Sequence, residues 1–309
     1  MKLRSELGRH FVEDTAFDRL IALDGEIYRD MPARRTLRFA VGGRSYFIKV
    51  HFGVGWREIL KNLLCFKLPV LGARDEWRAI RRLNELEVQS MTVAGYGERG
   101  WNPARRQSFL VTEALEEMIS LEELAQAWLQ NPPPPALDRS VIEKVAHIAR
   151  TLHENGVNHR DFYTCHFLLD PRTLESHKPR DAAPGRRHVR MHLIDLHRAH
   201  VRRRTPRRWI VKDVSGLFFS CMDIGLTRTD LLRFMRVYRG RSLRSTLIDD
   251  ARFWKRVAKS GLALYRKVHG RLPHPSIVAL AEAVETGNPA RGRRTSPTID
   301  SPTIARRAA

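Results

Sequence analysis

Between residues 36 and 50, apolar and polar side chains alternate in two runs, TLRFAV and RSYFIKV, joined by Gly42-Gly43. Period-two alternation around a glycine pair predicts a tight β-hairpin. Leu37, Phe39 and Val41 share one face of the first strand; Tyr46, Ile48 and Val50 share one face of the second, with Phe47 and Lys49 opposite. Upstream, EIYR reads as one more strand and DMPARR as the connecting loop. The period then changes. REILKNLLCFKLPV (57–70) is apolar on one side and basic on the other. That suits a helix packed on its own domain, or one lying on a membrane surface. Over 73–87, Trp77, Ile80, Leu83 and Leu86 recur every three residues beside Glu76, the mark of a further helix. SFLVTEAL (108–115) reads as a buried strand entering a loop.

From there the pattern is helical. Ser120 with Glu123, and Ser140 with Glu143, match the capping box, and Pro132 to Pro135 separate the two predicted helices. The second carries Val141, Val145, Ile148 and Leu152 on one face and stops at Gly156. Two short strands, FLL (167–169) and VRMHLI (189–194), bracket a polar, Pro- and Arg-rich segment expected to form a hairpin loop. Two or three more helices are expected over 213–285, one starting at Thr227 with Asp230, another holding Phe253, Val257, Leu264 and Val268. Residues 287–309 are Arg, Ser, Thr, Pro and Ala with an echo, SPTIDSPTI, and read as a disordered tail. The expected organisation is α+β: a small β-rich part with one central helix (1–114), then a larger helical part (115–286).

Composition adds the partner class. Lys and Arg number 55 against 34 Asp and Glu, a net charge of +21 in 309 residues. Such a balance calls for anionic partners: nucleic acid, phospholipid, or a substrate rich in phosphate and carboxylate. Hydrophobic residues at 42 % mark a globular chain. Cys65, Cys165 and Cys221 form no C-x-x-C pair, which speaks against a disulfide scaffold or zinc ribbon and for a reducing compartment. No apolar run reaches the length of a spanning helix, and the first residues, MKLRSELGRHFVED, lack the apolar core of a secretory signal. The expected location is cytoplasmic, with any membrane contact made from the surface.

The chemistry concentrates in NHRDFYTCHFLLD. Asp161 follows His159-Arg160, His166 lies five residues on, and the strand VRMHLI delivers Asp195. Two carboxylates on neighbouring short strands suit phosphoryl transfer: one orients the attacking hydroxyl, the other holds Mg²⁺ across nucleotide phosphates. Lys49 in the hairpin sheet could pair phosphate oxygens, and helical Glu76 could fix its amine. The bland readings are a solvated strand lysine, a glutamate pairing with Arg74 or Arg78 at the surface, and a core histidine. Cys165 lacks a second cysteine at ligand spacing and an evident base, so neither a zinc site nor a nucleophile is expected.

An H-R-D followed by a metal-capable residue, a strand ending in Asp, a strand Lys and a helix Glu resemble the protein-kinase-like fold. The blocks RRTLRF, GGRSYFIKVH, EILKNLL, PVLGARDEW, NHRDFYTCHFLL, IDLHRA and PRRWIVKD resemble the lipopolysaccharide core heptose(I) kinase family from about residue 20 to about residue 270. The resemblance implies a two-lobed fold and ATP-dependent phosphorylation of the first heptose of the inner core, at its 4-hydroxyl, on the cytoplasmic face of the inner membrane. It implies Asp161 as the base or hydroxyl-orienting group, Asp195 as the Mg²⁺ ligand, and His166 where protein kinases place a metal-binding Asn. It further implies Lys49 on the α- and β-phosphates, Glu76 paired with Lys49, and Glu113 to Leu115 as the adenine-facing hinge.

The chain departs from protein kinases in three ways. No G-x-G-x-x-G precedes Lys49, so Arg34 or Arg35 in DMPARR is expected to help cover the phosphates. Asp195-Leu196-His197 replaces D-F-G, and no A-P-E follows. These losses favour a small-molecule or glycolipid acceptor over a protein. Arg202, Arg203, Arg204, Arg207 and Arg208, with Arg160, could grip the acceptor's carboxylates and phosphates. A solvated face or a nucleic-acid footprint is the competing reading of that run. A kinase of another core sugar, such as the octulosonate, would share every catalytic residue. An RNA-binding protein on an inactive kinase fold is the reading from another class, and intact Lys49, Asp161 and Asp195 speak against it. A third reading docks an acidic protein, such as a carrier protein, on the basic helix 57–70.

Overall fold

A computed structural model describes residues 1–11, 14–64, 72–175 and 189–286. The chain folds in two lobes, an α+β arrangement. The first begins with strand β1 (Lys2–Leu3) and two short helices, α1 (Ser5–Gly8) and α2 (Ala16–Ile21). Strands β2 (Glu26–Met31), β3 (Arg34–Val41) and β4 (Arg44–His51) follow, then helices α3 (Gly55–Leu64) and α4 (Arg74–Glu85), then strands β5 (Val93–Arg99) and β6 (Gln107–Glu113). The six strands form one antiparallel sheet in the order β1-β5-β6-β4-β3-β2.

Alternation decides which side chains this sheet offers to which layer. Leu37, Phe39, Tyr46, Ile48, Val50 and Phe109 bury one face under Leu7, Ala16 and Leu20 of α1 and α2. Those two helices were not foreseen; four and six residues are too short to show a helical period. Lys49 therefore points out of the opposite face, opposite Thr36 and Leu110 in the ladder. There α4 packs Ala79, Ile80 and Leu83 against Leu110 and the core of the second lobe.

The second lobe opens with strand β7 (Ile119–Ser120), helix α5 (Leu121–Gln130) and helix α6 (Pro135–Glu154). Strands β8 (Val157–Asn158) and β9 (Phe167–Leu169), helix α7 (Pro171–Glu175), and strands β10 (Met191–Leu193) and β11 (His200–Val201) follow. Helices α8 (Arg207–Ser220), α9 (Arg228–Arg239), α10 (Leu243–Asp249), α11 (Ala251–His269) and α12 (Pro275–Thr286) complete it. Small sheets β10-β9-β7 and β11-β8 hold the loops between them. The lobes are stitched behind α4. Gln89 O accepts from Leu193 N at 2.9 Å, and Ser90 Oγ donates to Leu193 O at 2.6 Å. The strand that ends in Asp195 is thereby tied to the first lobe.

Several expectations change. The Ser120–Glu123 and Thr227–Asp230 capping boxes are present. Ser140 caps nothing: α6 starts at Pro135, and Ser140 Oγ donates back to Ala136 O at 2.8 Å inside the helix. Proline tolerates the first helical position because the N–H it lacks has no partner there. DMPARR is not a loop. Asp30 and Met31 pair with Arg35 and Arg34, so only Pro32-Ala33 turn the chain. Among the described residues five helices, not two or three, follow Pro206, with positive-φ breaks at Gly225, Gly240 and Gly270. The second half of the basic segment 57–70, most of the expected hairpin loop after residue 175, and the tail 287–309 lie outside the described residues.

Candidate active site

Lys49 Nζ lies 2.6 Å from Glu76 Oε1 and 3.3 Å from Asp195 Oδ1. Strand β4, helix α4 and the end of β10 each contribute one group. Burial works against the lysine's charge, but the two carboxylates outweigh it and hold its pKa above the ordinary value. Glu76 is 1 % exposed, which leaves no room for a surface pair with its helix neighbours. Arg74 instead binds Glu98 at 2.8 Å. Asp195 takes the left-handed conformation, φ 58. Its Oδ1 also accepts from His197 Nδ1 at 2.7 Å. Burial alone would raise the Asp195 pKa; the bond from His197 and the charge of Lys49 hold it well below the usual carboxylate range.

Asp161 is placed by a buried carboxylate that the sequence reading passed over. Asp213 of α8 is fully buried and accepts from His159 N and Arg160 N, both at 2.7 Å. This clamp holds Arg160 at φ 75, a left-handed value a side chain rarely adopts. His159 Nε2 bonds Ile194 O at 2.9 Å, linking the loop to the strand before Asp195. On the cleft side, Arg198 Nη1 donates to Asp161 Oδ1 at 2.7 Å. Arg198 was also missed; nothing in IDLHRA singles out its arginine before the fold brings it to Asp161.

His166 Nδ1 faces the Asp161 carbonyl at 2.7 Å, and a carbonyl only accepts. In the neutral ring Nε2 then carries its lone pair toward Asp195 Oδ2 at 3.6 Å. Two acceptors facing each other suit a cation between them. A carboxylate oxygen and an imidazole nitrogen can together hold a divalent cation, the nitrogen being a weaker donor than oxygen for a hard ion. Among the described residues no cluster of three or more His, Cys, Asp or Glu side chains stands ready as a metal site.

Arg34 and Arg35 part company because they are consecutive in a strand. Arg34 turns toward the cleft, where its charge is felt by Asp195 and Glu76; its Nε is buried with no hydrogen-bond partner. Arg35 turns away, to Asp30 at 3.5 Å and the ring of Phe52. Glu113 ends β6, and its carboxylate accepts from Arg4 at 2.5 Å rather than facing the polar cleft. Leu115 packs on the main core. Of the arginine run, Arg202 donates to Asn158 Oδ1 at 2.5 Å, while Arg203, Arg204, Arg207 and Arg208 are exposed. Burial pushes the Cys165 thiol up to about 11, which makes it a poor nucleophile.

This constellation has known counterparts. The lipopolysaccharide kinase (Kdo/WaaP) family model matches residues 18–238. The chain belongs to this family. The lipopolysaccharide core heptose(I) kinase WaaP of Pseudomonas aeruginosa is 50 % identical over 251 residues, 81 % of this chain and 90 % of that protein. The protein of the same name from Escherichia coli K12 is 46 % identical over 248 residues, 80 % and 90 % of the two chains. A solved structure described as WaaP in complex with acyl carrier protein superposes with a TM-score of 0.71 at 44 % identity, covering 85 % of this chain and 98 % of that one. The Kdo/WaaP match spans both halves of the cleft, from α2 to α9.

Against this family frame, His51 is a buried base that the cleft keeps uncharged. It pairs with Arg34 across the β3–β4 ladder and is 4 % exposed. Burial, then the nearby charges of Arg34 and Lys49, push its pKa down from 6.5 to about 3. The unfolded chain thus takes up a proton that the folded chain refuses. Stability attributable to His51 is full above about pH 6.5 and falls as pH drops toward about 3, by at most ~1.4 kcal/mol per pH unit. Urea titrations from neutral pH down to roughly pH 4 should show a shallower loss for His51→Gln than for wild type. Parallel slopes would place the proton uptake elsewhere.

Proposed function

We propose that this protein is an ATP-dependent kinase of the first heptose of the lipopolysaccharide inner core, acting on its 4-hydroxyl. The observation that carries the reading is the Lys49–Glu76–Asp195 contact beside Asp161, in a chain 50 % identical to a named heptose(I) kinase over 81 % of its length. A kinase uses ATP and with it a divalent metal; Mg²⁺ is the ion proposed here. Held by Asp195 and His166, it would supply charge neutralisation between the nucleotide phosphates.

Each residue then has a task. Lys49, held by Glu76, meets the α- and β-phosphates. Arg34 supplies a second cation with an uncommitted buried Nε. The strand end at Glu113 to Leu115 faces the adenine. With Oδ1 engaged by Arg198, Asp161 has Oδ2 for the acceptor hydroxyl. It aligns that oxygen for in-line attack on the γ-phosphorus and takes its proton. Arg160, Arg202, Arg203, Arg204, Arg207 and Arg208 supply the positive surface for the acceptor. The octulosonate sugar is the second reading because the family model joins Kdo and heptose kinases under one description.

The place of action is the cytoplasmic face of the inner membrane. No described helix is long and apolar enough to cross a bilayer. Trp56, Leu60 and Leu64 of α3 are exposed, and Trp101 is exposed on a loop joined to the start of α3 by Gly55 N to Ala104 O. Aromatic and aliphatic tips among Arg57, Lys61 and Arg105 suit an anionic headgroup layer. A carrier protein belongs to the proposal too: the solved relative holds one, and a chain at +21 attracts acidic surfaces.

With ATP, Mg²⁺ and a heptose-terminated core acceptor, the purified protein should release ADP. Asp161→Ala should lower that turnover by at least ~10²-fold. A near-wild-type rate in that variant removes the catalytic assignment, and faster turnover of an octulosonate-terminated acceptor moves the assignment to the second reading. Flotation with anionic vesicles should fall when Trp56 and Leu60 become Ser. Carrier-protein pull-down should instead respond to salt alone, and an unchanged flotation discards the α3 contact.

A further inference from the structure

The cations of the cleft fall into two groups. Arg34 and Lys49 interact with Asp195 and Glu76, on the nucleotide side. Arg160, Arg198 and Lys212 interact with Asp161 and with one another. We propose that this second group, assembled around Trp209 beside Asp161, is a subsite for an oxyanion carried by the acceptor. The proposal rests on the kinase reading above and names the part of the acceptor that the cleft selects.

The fold builds the group from three segments. Trp209 and Lys212 stand one turn apart on α8. The Arg160 guanidinium lies 4.9 Å from the centre of the Trp209 ring, and Lys212 Nζ lies 5.7 Å from it. Arg198 reaches in from the turn after Asp195 and ends on Asp161 Oδ1. Arg202, which also repels Arg160, stands behind them.

The charges in this corner do not balance. Asp213 is committed to the backbone of His159 and Arg160. Its charge still reaches Arg160 and Lys212, so two carboxylates, Asp161 and Asp213, face three cations, and Arg198 already occupies one Asp161 oxygen. Burial first, then the charge of Arg198, lowers the pKa of both Arg160 and Lys212. Arg160 Nε is buried without a hydrogen-bond partner, and its Nη1 faces only the ring nitrogen of His200 at 3.2 Å. Half-buried like charges and an idle donor carry a free-energy cost that an oxyanion with two or three oxygens would relieve.

Position selects the ligand. Lys49 and Arg34 already serve the phosphate path, while this corner flanks the carboxylate that orients the attacking hydroxyl. The oxyanion therefore belongs to the acceptor, as a carboxylate of an acidic sugar next to the accepting one or as a phosphomonoester. Arg208 lies 5.4 Å from the same Trp209 ring but is exposed to solvent, and with exposed Arg203, Arg204 and Arg207 it adds a diffuse attraction.

Calorimetric titration tests this without requiring turnover. The probes are a heptose oligosaccharide bearing both anionic groups, the same oligosaccharide with its carboxylates reduced to alcohols, and the same treated with phosphatase. Wild type should bind the intact probe about 10- to 100-fold tighter than one of the two stripped probes, the span of a charge-assisted hydrogen bond. The stripped probe that loses affinity names the oxyanion. Lys212→Met and Arg160→Gln should erase the difference, Lys212→Arg should keep it, and affinity for Mg·ATP should stay within about twofold in all three. Equal affinity of wild type for all probes, or a loss confined to Mg·ATP, overturns the subsite. Absence of phosphate transfer in a protein that still discriminates among the probes would overturn the kinase reading instead and leave the subsite standing.

Discussion

An ammonium held between two carboxylates from three distant segments constrains everything around it. Glu76 and Asp195 lie 27 and 146 positions beyond Lys49 in the chain, yet both reach its amine within 3.3 Å. Such a partly buried charge cluster is weak evidence for stability, because desolvation offsets much of its attraction. Its removal is another matter: losing one partner strands a buried charge at a cost of about 3–5 kcal/mol. The two lobes must therefore keep their relative placement, with α4 pressed between the sheet and the strand that ends at Asp195.

The second lobe repeats this logic with a different anchor. Asp213 has no solvent exposure and spends both oxygens on two consecutive backbone N–H groups. It thereby fixes a left-handed residue immediately before Asp161. A strained backbone beside a cleft carboxylate persists only where neighbours over-determine it, and Asp213, His159 and His166 together do so here. The consequence is a carboxylate whose direction is set from behind by the loop and in front by Arg198.

How much of this could be read from residues alone follows from the kind of signal each leaves. The alternation in RSYFIKV placed Lys49 off the apolar face, and the three-residue spacing after residue 73 placed Glu76 on a helix. Those are local periodicities, and local periodicities survive in sequence. Asp213 and Arg198 leave none: each is one charged residue among many in a chain with 89 Lys, Arg, Asp and Glu (55 + 34). Only tertiary packing distinguishes them. Ser140 misled because a Ser three residues before a Glu also occurs inside helices, where the hydroxyl turns back to its own backbone. Pro135, which reads as a breaker, in fact starts the helix. Arg34 and Arg35 were grouped by sequence and separated by the pleat of a strand that the composition DMPARR disguised as a loop.

The central claim is that Lys49, Glu76 and Asp195 converge in order to receive a metal-bound triphosphate. Thermal unfolding with and without Mg·ATP tests it most directly, in wild type and in Asp195→Asn. At roughly a hundredfold excess over Kd the wild type should gain about 5–10 °C, and the variant almost nothing. Equal gains in the two proteins, or none in wild type, would contradict the account.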